Sequence, residues 1–212
     1  MTMVFETVQA SIVAILAAAE AGRYQTVGYQ RQSVNADTVL DDLRQVQVFF
    51  SRGDFSKRAG RNTGSVGHDA TYRIELTVSK AAVGELSVLD NPSATPAQLA
   101  TALANYNEAT YEADTSLNEL AGIVYQVLMD GLNYDMGQSK GSVSSRWVPS
   151  ISKDTPTTRG ALVVLTGSLE LNLRITEAIT GDTGTESAEY YDTTIDIDGD
   201  DVESTGVIVD NT

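Results

Sequence analysis

Chemistry in this chain has few places to reside. Cysteine is absent, so thiolate nucleophiles, disulfides and cysteine metal sites are excluded, and His68 is the one histidine. A nucleophile–base pair would have to use His68. It stands at the edge of a glycine-rich polar stretch, where a solvent-facing or interface role is the ordinary expectation. Asp196, Asp198, Asp200 and Asp201 have the look of a calcium loop. The glycine falls at Gly199 instead of after Asp200, and Val207 stands where a bidentate glutamate should close the loop. An acidic hairpin is the plainer reading, and no metal or other cofactor is assigned. Gly60 to Gly67 resembles a phosphate loop only superficially, lacking the terminal Lys-Ser/Thr pair and preceding a strand where a helix is needed. No catalytic residue is assigned, and the chain reads as a non-enzyme.

Charge is the stronger signal. The formal net charge is -15 over 212 residues. Residues 182–212 hold ten acids (among them Asp182, Glu186, Glu189, Asp192, Glu203 and Asp210) and no Lys or Arg. Residues 1–181 keep 19 acids against 14 bases, so most of the excess lies in the final segment. Against this background Arg44, Arg52, Lys57, Arg58, Arg61, Arg73 and Lys80 cluster within 37 residues, with only Asp54, Asp69 and Glu75 among them. A solvated basic loop would explain the cluster. So would an interface in which Arg52, Lys57, Arg58, Arg61 and Arg73 meet acidic surfaces of neighbouring subunits, since opposite fields on one subunit suit head-to-tail association. The acidic balance argues against general binding to phosphate backbones, leaving nucleic acid only as something passing nearby. Four Lys against ten Arg, with abundant Asp, also fits a high-salt host.

The elements that would hold these residues follow from periodicity. Val4 to Ala21 reads as a helix with Val4, Val8, Ile12 and Ile15 on one side, Thr2 as cap and Gly22 as stop. Tyr24 to Tyr29 and Val46 to Phe50 read as strands, with a short helical turn over Ala36 to Gln45 and a long exposed loop over Ser51 to Asp69. Ala70 to Val78 alternates apolar and polar without a fault, a strand with one buried face. Thr95-Pro96 opens a second helical region reaching Met129, with apolar positions at 4-3 spacing from Leu99. Ser116 and Glu119 could cap a second helix, so one helix and two both fit. Gly160 to Ile175 gives closing strands, and Gly167 suggests a bulge or bend between them. Helices on one face of a mainly antiparallel sheet make this an α+β fold. The 42% hydrophobic content suffices for a core domain over 1–180, with 81–115 as an insertion and 181–212 as an acidic arm. No run approaches the ~20 apolar residues of a membrane span. Ile12 to Ala19 is preceded by Glu6 and by no base, unlike an export signal, so a soluble, unexported protein is expected.

This order and texture resembles the tail-terminator (neck) proteins of long-tailed bacteriophages and archaeal tailed viruses. The likeness rests on the helix 4–21, the strand 46–50 entering a basic loop, the strand His68 to Val78, the helix near 117–129 and the strands 161–175. The resemblance implies a homohexameric ring, its sheet lining a central channel, that ends the tail tube and meets the head–tail connector in the virion. Segments 81–115 and 181–212 depart from smaller members of that family. Rival readings are a head–tail adaptor, a tail-tube subunit, a monomeric binding module, and a metal- or nucleotide-dependent enzyme using His68 and the tail aspartates.

Overall fold

The computed structural model describes residues 4–19, 24–28, 43–55, 65–82, 85–159 and 162–178. The acidic arm, Lys57, Arg58, Arg61 and the turn expected over 36–42 lie outside them. All described residues belong to one compact unit, Met1–Ile179.

The fold is α+β. Helix α1 (Val4–Ala19) precedes β1 (Gln25–Gly28), β2 (Arg44–Phe55) and β3 (Ser65–Ala81). Then come α2 (Glu85–Leu89), α3 (Pro96–Met129), β4 (Val143–Lys153), β5 (Thr157–Arg159) and β6 (Leu162–Ala178). The sheet order is β1-β2-β3-β6-β4, with β5 paired to the start of β6. Among the described residues only the β1–β2 pair is parallel. The centre is the β3–β6 ladder, in unbroken register from Ser65↔Ala178 to Ala81↔Leu162. Its 17 residues per strand extend about 56 Å at ~3.3 Å per residue.

Alternation assigns the two faces. Val46, Val48, Tyr72, Ile74, Leu76, Leu169, Leu171 and Leu173 point to one side and are fully buried there. Helix α1 adds Val8, Ile12 and Leu16 to that core, and α3 adds Ala113, Leu117, Leu120, Val124 and Leu128. Polar groups tie α1 down. Gln9 Nε2 donates to Val48 O at 2.7 Å, Tyr72 Oη donates to Phe5 O at 3.0 Å, and Tyr24 Oη donates to Leu16 O at 2.6 Å near the helix end. Phe5 stacks on Phe50 with centroids 4.3 Å apart, closing the core under β2.

Helix α3 is a single helix of 34 residues, about 51 Å long at ~1.5 Å per residue. Thr95 forms the capping box with Gln98, as the Thr-Pro start suggests. Ser116 does not begin a second helix; it is buried inside the first, where Leu117 and Leu120 hold the chain on the sheet.

Four further expectations are corrected. The loop expected over Ser51 to Asp69 is strand at both ends, because β3 and β6 offer long partners that override weak local strand propensity. Arg44 and Gln45 also belong to β2, not to a helical turn. The Gly- and Ser-rich stretch Gly137 to Ser145 reads as loop, yet its end is already strand: β4 begins at Val143 as an edge strand held by β6, although Ser, Arg and Pro149 break its alternation. Gly167 is no bulge: it pairs with Leu76 in unbroken register. A Cβ there would stand 2.9 Å from Ser152 O and 3.6 Å from both Leu117 methyl groups, so close approach of strand and helix is the reason for glycine.

Candidate interaction surface

The sheet face turned away from α1 and α3 is polar and laid out in charged rungs. Register places Asp54, Asp69 and Arg174 in one row; Arg52, Thr71, Asn172 and Trp147 in the next; then Arg73, Glu170 and Ser150; then Gln47, Glu75, Ser168 and Ser152. Side chains pair both within and between the rungs. Arg52 Nε lies 2.9 Å from Asp54, Arg73 Nε 3.3 Å from Glu75 and Arg174 Nε 3.2 Å from Asp69. Thr71 Oγ1 donates to Asn172 Oδ1 at 2.9 Å, and the Ser152 and Ser168 hydroxyls meet at 3.0 Å. Exposed pairs of this kind contribute only ~0–1 kcal/mol each. Their larger effect is to cancel each arginine's field locally. Gln45 and Gln47 are buried on this face, and Gln47 Nε2 has no hydrogen-bond partner.

Of the cationic cluster seen along the sequence, Arg44, Arg52, Arg73 and Lys80 are described, and each has a carboxylate partner. Arg52 and Arg73 do lie on the exposed face, each beside a carboxylate. Arg44 pairs with Glu119 at 3.1 Å and Lys80 with Glu112 at 4.0 Å, both on α3. Sequence spacing could not reveal these partners, because α3 follows the cluster by dozens of residues.

His68 is 2% exposed, inside β3 and opposite Phe55 and Ile175, so it does not occupy the end of an exposed loop. Gly67 is likewise in a strand, which removes the end of the phosphate-loop resemblance. Asp196, Asp198, Asp200 and Asp201 lie outside the described residues. Among the described residues no cluster of three metal-ligating side chains occurs.

Both ends of α3 expose large apolar side chains. In its first half are Leu103 and Tyr111, at 51% and 73% exposure. Past its C-terminus the 3-10 turn Gly131–Asn133 presents Leu132 at 93% exposure, with Tyr134 beside it. Arg146 builds this corner. Its Nη2 donates to the carbonyls of Met129 and Asp130 at the helix end, and its guanidinium lies 5.0 Å from the centre of the Tyr134 ring. Burial pushes the guanidinium below the usual arginine value, opposed by Tyr134, Asp130 and Asp135. Tyr134 Oη donates to Ser144 O at 2.9 Å, fixing the ring to β4. At the other end of β4, Lys153 Nζ donates to Asp114 Oδ1 at 2.7 Å. That bond holds the Asp114 carboxyl below the usual carboxylate range.

No helix among the described residues is long and apolar enough to cross a membrane. No protein-family model matches this chain, and a search of curated proteins finds no match.

Proposed function

We propose that this protein is a structural subunit of a tailed virus, assembling into a ring that ends the tail tube and joins it to the neck. The observation that carries this reading is the charge balance of the exposed sheet face. Arg52, Arg73 and Arg174 share it with Asp54, Asp69, Glu75 and Glu170. A phosphate backbone binds by finding cations whose counterions it can release. Here each arginine already has a carboxylate beside it, and one acid is in excess. Such a wall suits a passage that a genome traverses without being gripped. The broad sheet, not an enclosed site, is then the working part of the molecule, and neighbours are copies of itself plus tube and connector proteins.

The test is the mass and symmetry of the purified protein, by native mass spectrometry and electron microscopy. Closed rings with a central opening are expected. Long tubes would favour a tube subunit. A monomer at all concentrations would refute the reading. Tight duplex DNA binding at physiological salt would refute its account of the sheet face.

A further inference from the structure

The chain contains two Asp-Gly steps, Asp130–Gly131 and Asp198–Gly199, and no Asn-Gly. In such a step the backbone nitrogen after the aspartate can attack the aspartate's own carboxyl, because glycine puts no Cβ in the way. At Asp130 a C–N bond would form between Gly131 N and Asp130 Cγ, and one carboxyl oxygen would leave as water. Water then opens the five-membered imide at either carbonyl. Opening at Cγ restores aspartate. Opening at the other carbonyl leaves the chain running through Cβ, as isoaspartate with a free α-carboxylate. One water leaves and one returns, so the net change is an isomerisation.

The end of α3 holds both what this reaction needs and what opposes it. Asp130 closes α3 and caps the 3-10 turn Gly131–Asn133. Asp130, Gly131 and Leu132 are all exposed to water, and a Cβ on Gly131 would meet nothing within 4 Å. Orientation is the obstacle. Attack needs the Gly131 nitrogen turned toward Cγ, close to eclipsing the Cα–Cβ bond. Asp130 is extended, with ψ at 132°, which holds that nitrogen well away. The peptide is planar, so turning the nitrogen also turns the Asp130 carbonyl. That carbonyl is held twice, by Arg146 Nη2 and by Asn133 N at 3.0 Å. The carboxyl is engaged as well: Oδ1 accepts from Leu132 N at 2.9 Å, the amide one residue beyond the nucleophile. Arg146 is itself fixed, donating also to Met129 O at 3.0 Å with its guanidinium beside the Tyr134 ring.

We propose that Asp130–Gly131 is a site of spontaneous aspartate isomerisation held in check by Arg146, so that modification proceeds only when the end of α3 is released from β4. This is independent of the ring reading. The product cannot rebuild the corner. Its added backbone carbon displaces Gly131, and the carbonyl that Arg146 grips has become a free carboxylate. Modified chains therefore accumulate as a record of local opening.

The test incubates the full chain for days at neutral pH, folded and in urea. It is then digested with an endoprotease that cuts before aspartate but not before isoaspartate. A joined peptide 114–134, in place of 114–129 and 130–134, reports the modification. In urea the cut before Asp130 should be lost at a rate comparable to that before Asp198. Folded wild type should lose it at least tenfold more slowly than the unfolded chain. Folded Arg146→Met should react at least threefold faster than folded wild type at Asp130, with no change at Asp198. Arg146→Lys, which keeps a charged donor, should fall between and carries the test if the methionine variant does not fold by circular dichroism. Equal rates in folded and unfolded wild type, a comparison that needs no variant, would overturn the check. Equal rates in wild type and the folded variants would remove Arg146 from it. An unfolded chain that keeps Asp130 intact while Asp198 reacts would overturn the site.

Discussion

Replacing Gly167 by alanine should loosen the junction between β4, β6 and α3. The added Cβ would lie 2.9 Å from Ser152 O, a backbone atom that cannot rotate away. That is ~0.5 Å inside an ordinary contact, and overpacking of this kind costs about 1–3 kcal/mol. Alanine also narrows the unfolded ensemble, which returns ~0.4–1 kcal/mol. The net expectation is a loss of about 1–2 kcal/mol, or ~2–8 °C in Tm for a domain of this size. Gly122 is the control, since it lies in α3 with nothing within 4 Å of an added Cβ. Gly122→Ala should gain ~0.5–1 kcal/mol from helix propensity, raising Tm by about 1–4 °C. Thermal unfolding followed by circular dichroism reads both. Gly167→Ala melting at or above wild type, with Gly122→Ala behaving as expected, would refute the close approach as the reason for Gly167.

Lys153→Met should cost about 0.2–0.5 kcal/mol at pH 7, because the pair it breaks with Asp114 is nearly half exposed and screened by water. Asp114 has a depressed pKa in the folded protein, so the pair's contribution is full above the unfolded value and fades as pH falls through the folded one. Melting curves of the variant and wild type should converge below about pH 4, and a gap that widens there would contradict the assignment. Deleting residues 182–212 removes ten acids from a region outside the compact unit. The core should stay folded while self-association weakens, and unchanged sedimentation would argue that the arm takes no part in assembly.

How much of this was legible depends on how locally each element is specified. Helix α1 and the strand around Ala70 to Val78 were readable because one face of each is continuously apolar. The start of α3 was readable because Thr95 and Pro96 are a local device; Gln98, which completes the cap, was not singled out. Strand β4 was not. It is held by β6 on one edge and by Arg146 and Lys153 reaching to α3, and none of those partners lies within its own eleven residues. The 4-3 stripe was right from Ala113 to Val124, where the helix lies on the sheet. Leu103, in the same stripe, is exposed, whereas Tyr106 and Ala109 further along still reach the core. Charge was legible in part: Asp54 and Glu75, the partners of Arg52 and Arg73, lie two residues along the same strands, whereas the partners of Arg44 and Lys80 lie on a helix distant in sequence. His68 was misplaced because glycine and aspartate beside it imitate a loop, whereas its register partner Ile175 arrives more than 100 residues later.

That long wait has a kinetic consequence. The central ladder joins residues 65–81 to residues 162–178, so its contacts have high sequence separation and the domain belongs among slow folders. At ~5–20 residues per second, translation needs about 4–16 s to pass from Ala81 to Leu162. During that interval the hairpin of β2 and β3 carries an unsatisfied edge of backbone amides and carbonyls, a template for mispairing between nascent chains. The amphipathic α3 is made within the same interval and can shelter the apolar side of the hairpin, but only β6 can close its edge.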